Sequence, residues 1–162
     1  WIAILRVDPY RVDWRAPDGK VTRGAPIPYV RVAVTEREKR FYLDRNAARA
    51  NRPFTMPPTA PSTLRAALES GWRRAWSEFP PFVAPFESLA LTPTADGRVV
   101  VLRTPSADAP DPVYDIVDHR GQLSGRVQLA KGERIVGFGK ASVYISARDA
   151  DDLEHVSRHP WP

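Results

Sequence analysis

The stretch DPYRVDWRAPDGKVTRG, residues 8–24, alternates apolar and polar positions on either side of a Pro-Asp-Gly turn. Val12 and Trp14 share one face of the first strand and Asp13 takes the other. Asp18-Gly19 tolerates the positive φ that a tight hairpin demands. Further along, DPVYDIVDHRGQLSGRV, residues 111–127, repeats the pattern: Asp-Pro, a β-rich segment, a turn at Arg120-Gly121 and a returning strand. The match extends upstream, because Ile4-Leu5-Arg6 precedes the first copy and Val101-Leu102-Arg103 the second. A partial third copy, SVYISARDADDLEHVSRHPW at residues 142–161, runs from an apolar strand through an acidic turn into Leu153 to Arg158.

Two more strands complete the grammar: Ser88 to Thr92 before the turn at Asp96-Gly97, and Arg134 to Phe138 before Gly139-Lys140. The repeating unit is then a four-stranded antiparallel meander. Strands recurring every 8 to 12 residues or so with glycine turns mark sandwiches, barrels and propellers, and a four-stranded unit of roughly 45 residues selects the propeller. The expected fold is mainly β: a partial β-propeller of four-stranded antiparallel blades with a helical insertion between blades. Residues 1–34 supply the last three strands of a blade and a connector, and residues 35–86 the helical insertion with Pro-rich linkers. Residues 87–129 form a complete four-stranded blade and residues 130–162 an incomplete final one.

The insertion reads differently from its surroundings. Thr35 and Glu38 have capping-box spacing, and good helix formers follow without Gly or Pro until Pro53, which predicts a helix over 35–50. After the Pro-rich PFTMPPTAP, a second helix is expected over 62–77, with Leu64, Leu68, Trp72 and Trp76 on one buried face and Arg73 and Arg74 exposed.

Composition bounds the chemistry. The 162 residues are 43% hydrophobic and 27% charged, as in folded globular proteins, and 17 prolines argue for loops over long helices. There are no cysteines, which removes disulfides, thiolate catalysis and cysteine metal sites. No apolar run approaches the ~18 residues of a membrane-spanning helix. The net charge of +5 rests mainly on arginine, with the look of GC-rich codon usage, and no nucleic-acid partner is expected from it. Trp1 opens directly on a strand, so the chain reads as a piece of a longer protein whose remaining blades are its first partners. Expressed alone, such a piece is expected to associate, aggregate or remain partly disordered, because a truncated repeat array forfeits whole interfaces.

The phrases RVDPYRVDWRAPDGKVTRGAPIPY, FPPFVAPFESLALTPTADGRVVVLRT and VYDIVDHRGQLSGRVQLAKGERIVGFGKASVYI resemble the six-bladed β-propeller proteins of bacteria, the NHL-like and TolB-like group, in their C-terminal portion. The resemblance implies a ring of six blades, an extracytoplasmic location (periplasmic or cell-surface), and a non-enzymatic binding or scaffold role. Loops would be presented to a protein, peptide or glycan partner. The alternative it leaves open is a propeller enzyme, a hydrolase or lyase, with its site completed by other blades. It specifies fold better than function.

No catalytic constellation, metal set or cofactor motif stands out. His155 and His159 share one face of a strand about 13 Å apart, too far to hold one metal, and His119 lies in a turn. The acidic RDADD, residues 148–152, lacks the Gly and distal Glu of a calcium loop. GFGKAS, residues 137–142, joins two strands where a phosphate loop would open a helix. WRRAW, residues 72–76, combines basic and aromatic groups, but its tryptophans continue the leucine stripe. The remaining candidates are Arg6 and Arg103, at matching strand ends where the third copy has Ala147. They line a face for anionic ligands, or they form salt bridges between adjacent blades.

Overall fold

The computed structural model describes residues 1–50, 79–151 and 153–161, and the expected second helix over 62–77 lies outside them. Among the described residues the fold is mainly β, with three antiparallel sheets of three, four and three strands and one short helix. No closed propeller is formed by the described residues. Two compact units are present: residues 1–30, 84–105 and 109–162 carry the described strands, and residues 31–83 with 106–108 carry the described helix.

Sheet 1 contains β1 (Ile2–Arg6), β2 (Arg11–Arg15) and β3 (Val21–Thr22). Sheet 2 is the meander of β4 (Phe86–Pro93), β5 (Val99–Arg103), β6 (Val113–Val117) and β7 (Leu123–Gln128) in sequential order. Sheet 3 contains β8 (Arg134–Gly139), β9 (Ser142–Arg148) and β10 (Glu154–Pro160), with β9 central and β10 at one edge. β3 is shorter than Lys20 to Arg23 because the next amides leave the ladder. The Gly24 N–H turns to the Asp13 carboxylate at 3.2 Å and the Ala25 N–H to the Gly121 carbonyl at 3.1 Å.

The repeat is exact in register where it counts. Leu5 pairs with Val12 and Arg6 with Arg11 across β1 and β2, so Ile4 faces Asp13; across β5 and β6, Leu102 pairs with Tyr114 and Val101 with Asp115. Superposing the two ladders places Ile4 on Val101, Arg6 on Arg103 and Asp13 on Asp115. The following turns also coincide. Gly19 donates to the Ala16 carbonyl and Gly121 to the Asp118 carbonyl, both at 2.9 Å, with φ of 85° and 74°.

The sheets stack face to face. Val12, Trp14 and the partly buried Ala3 and Leu5 of sheet 1, with Tyr10 of the β1–β2 turn, pack on Val99, Val101 and Val117 of sheet 2. The other face of sheet 2, with Val100, Tyr114 and Ile116, packs on Ile135, Phe138 and Ile145 of sheet 3. Sheet 2 is thus covered on both sides, which is why RVVVL can be a continuous apolar run, while among the described residues each outer sheet has a neighbouring sheet on one face.

In the second unit α1 (Glu36–Ala50) starts where the capping signal predicts, with the Glu38 amide 3.4 Å from the Thr35 hydroxyl. The reciprocal half of the box is absent. The Glu38 carboxylate accepts from the Ala107 amide instead, at 3.1 Å to both oxygens. Arg37 makes an ion pair with Asp108 at 2.6 Å. A single bridge, Ala33 with Phe82, and the amide bonds of Val34 to Pro81 and Val83 to Val32 pin the incoming and outgoing chain together.

Candidate functional site

The polar centre of the strand-bearing unit is Asp115. An acidic residue in the middle of a strand is disfavoured unless something meets it, and here three groups do. β6 buries the carboxylate completely; β7 brings Arg126, whose Nε donates to Oδ1 at 2.7 Å. The end of β5 brings the Arg103 Nε to 3.9 Å of Oδ2. From the turn between β1 and β2, the Tyr10 hydroxyl donates to Oδ2 at 3.0 Å across 105 residues of sequence. Tyr10 is itself buried, held edge-on by Tyr29 with centroids 5.8 Å apart and flanked by Phe86 at 5.7 Å. Burial, then the Asp115 charge and hydrogen bond, push the phenol pKa far above its ordinary value, so the group stays a donor at every physiological pH.

A second carboxylate repeats the first. Asp13 accepts from Arg6 Nε at 3.1 Å and from Arg11 Nε at 2.8 Å, in addition to the Gly24 amide. Burial works against its charge, but the hydrogen bonds from Arg11, Arg6 and Gly24 outweigh it and hold the carboxyl below the usual range. Asp13 therefore occupies the strand face opposite Val12 and Trp14, as the alternation predicts, yet it is buried and not solvated. Arg6 and Arg103 are found on these carboxylates. Their ion pairs run across strands of one sheet, and the bond between sheets comes from Tyr10, a contact that sequence reasoning missed.

The sheet 1–sheet 2 seam is sealed at one end by glycines. A Cβ on Gly24 would lie 2.1 Å from the Val12 carbonyl and 2.8 Å from that of Gly121. A Cβ on Gly121 would lie 2.5 Å from the Gly24 Cα. Only hydrogens fit. Beside them, Trp14 Nε1 donates to the Asp118 carbonyl at 3.0 Å.

The histidines lie elsewhere. His119 is exposed in the β6–β7 turn. On β10, His155 and His159 do share a face, with Ser157 between them. His155 Nε2 is 2.6 Å from Asp149, and His159 Nε2 is 2.8 Å from the Ser157 hydroxyl. The acid and the serine engage different imidazoles, whereas nucleophilic catalysis of the triad type needs one imidazole between the two. Asp149 also accepts the amides of Asp151 and Leu153, so residues 149–151 form a turn after β9, and the His155 hydrogen bond, foremost, lowers its pKa. Gly139 to Ser142 of GFGKAS turn between β8 and β9. WRRAW and its leucine stripe lie outside the described residues.

Among the described residues no group of three or more metal-ligating side chains gathers, and no helix is long and apolar enough to cross a membrane. Comparison with protein-family models, curated proteins and solved structures finds no match for this chain.

Proposed function

We propose that the chain is a non-enzymatic binding or scaffold module, a part of a six-bladed β-propeller whose inter-strand loops engage a protein, peptide or glycan partner. The observation that carries this reading is the recurrence of one polar unit at one register: Arg6 on Asp13 and Arg103 on Asp115, in sheets that stack face to face. A carboxylate with no exposed surface, held by Arg126 and Tyr10 and neighboured by Arg103, serves assembly of the stack and offers no open surface to a substrate. What supports binding over turnover is this use of the most buried chemistry as a fastening between repeats, which leaves the loops at the sheet ends to meet a ligand.

The test is an equilibrium titration of peptide and glycan libraries against the chain, with product analysis of every ligand that binds. Saturable binding with ligand recovered intact, lost on replacement of a loop such as 149–153 and retained in Tyr10→Phe, is the expected result. Conversion of a ligand that is abolished by Ser157→Ala or His159→Ala would overturn the reading in favour of an enzyme.

A further inference from the structure

The two arginine–aspartate units differ in one bond. In the β1–β2 hairpin, Asp13 Oδ2 takes the Arg6 Nε at 3.1 Å, and Arg11 adds its Nε to Oδ1 at 2.8 Å. In the β5–β6 hairpin, Asp115 Oδ2 takes the Tyr10 hydroxyl at 3.0 Å, and Arg103 stands off at 3.9 Å, beyond hydrogen-bond length. The hydroxyl holds the place that the arginine has in the sister unit. Among the described residues the Arg103 side chain makes no hydrogen bond, although it is only 24% exposed. Arg126, at 41%, donates through Nε to Oδ1, and its terminal amino groups make no hydrogen bond among the described residues.

That leaves an imbalance. Two guanidinium groups share one carboxylate, and most of their N–H donors have no acceptor. A guanidinium largely withdrawn from water without an acceptor is unfavourable, so the set gains from an anion that supplies one. The planar fork receives a carboxylate edge-on through two parallel N–H···O bonds. A monoanion balances the one excess charge, whereas a dianion would add repulsion beside the buried Asp115. Phe86 pairs with Arg103 in register and lies against Tyr10 at 5.7 Å, so an apolar neighbour limits screening at the arginine. We infer that Arg103, with Arg126 beside it, binds a small ligand bearing one carboxylate. Tyr10 creates the site by taking the oxygen that would otherwise hold Arg103. The inference does not rest on the loop-binding reading, and its failure would leave that reading standing.

NMR titration of the 162-residue chain with sodium acetate, at an ionic strength held constant with sodium chloride, tests it. The Nε–H resonances of Arg103 and Arg126 are expected to move saturably. Arg103→Gln should weaken acetate binding about tenfold or more, as loss of a charge-assisted pair implies. Tyr10→Phe, which lets Arg103 close on Oδ2, should also weaken it. Arg6→Gln, at the matching position where the guanidinium is already engaged, should leave the affinity unchanged. The melting transition of each variant verifies folding. Inorganic phosphate, mainly a dianion at about pH 8, should bind no more tightly than acetate. Acetate that moves neither resonance, saturation that leaves Arg103 unmoved, or full affinity in folded Arg103→Gln or Tyr10→Phe would overturn the inference. So would a loss in Arg6→Gln equal to that in Arg103→Gln, or a preference for phosphate. Should Arg103→Gln fail to fold, the wild-type Arg103 resonance decides.

Discussion

The β1–β2 hairpin and the β5–β6 hairpin are the same object in two settings. Their registers coincide, their terminal arginines reach equivalent aspartates, and their following turns make the same backbone bonds. Yet Val99, Val100 and Val101 are buried without interruption, while Ile2 is exposed and Ala3 and Ile4 are half-buried. The difference lies in coverage, since sheet 2 has a neighbour on each face and sheet 1 on one. In stacked repeats a residue's burial belongs to the interface as much as to its own sheet.

Paired substitutions probe that comparison directly. The largest separation is expected at the aspartates. Asp115→Asn leaves Arg103 and Arg126 without their counter-charge and should cost about 3–5 kcal/mol. Asp13→Asn frees the half-exposed Arg6 to turn to water but leaves the mostly buried Arg11 without its counter-charge, and should cost about 1.5 kcal/mol. Urea unfolding of both variants measures the gap, and equal losses would mean that the outer face is as enclosed as the inner one.

Next come the turn glycines. Gly19→Ala meets open space and bears only the positive-φ strain, about 1 kcal/mol. Gly121→Ala adds a backbone clash with Gly24 and Val12 and should lose about 3 kcal/mol in the same assay. If both cost the same, the seam tolerates movement that the close approach of its glycines denies.

The aliphatic pair follows. Val101→Ala, at a fully buried position, should destabilise by about 2 kcal/mol and Ile4→Ala by about 1 kcal/mol, although isoleucine loses more atoms. A reversed order would overturn the assignment of sheet 1 as the exposed end.

The smallest effect is alkaline. Tyr10 has its folded pKa raised, so its contribution is complete below the unfolded value near 10 and declines as pH rises above it toward the folded value. From pH 10 to 11 the wild type should lose about 1 kcal/mol more stability than Tyr10→Phe, measured by unfolding each at both pH values. Parallel losses would indicate that the phenol is not held on Asp115.

Much of the fold was legible locally, because strand alternation and the Asp-Gly, Arg-Gly and capping signals act over a few residues. The helix start at Thr35 and the meander of residues 86–128 follow from such short-range chemistry. The polar core was not legible for the complementary reason. Asp115 sits in VYDIV as an ordinary interruption of an apolar strand, and its meaning depends on a hydroxyl 105 residues away. Asp13 showed its face and not its burial, since two guanidinium groups from neighbouring positions enclose it. The capping box was half right for a similar reason, as the Glu38 carboxylate found a better donor at Ala107.

That long tyrosine–aspartate bond also bears on the order of assembly. Sheets 2 and 3 follow one another along the chain, but sheet 1 reaches its seat only by closing a loop of some hundred residues. Closing a loop tenfold longer than a hairpin costs about 2 kcal/mol more in chain entropy. Contacts of this separation form late and slow the whole reaction. During refolding, pulse-labelled exchange should therefore find the β8–β9 amides protected before those of β1–β2. Until that closure Asp115 is held only by Arg126 and Arg103 of its own sheet, and the hydroxyl of Tyr10 reaches it with the last sheet to be seated.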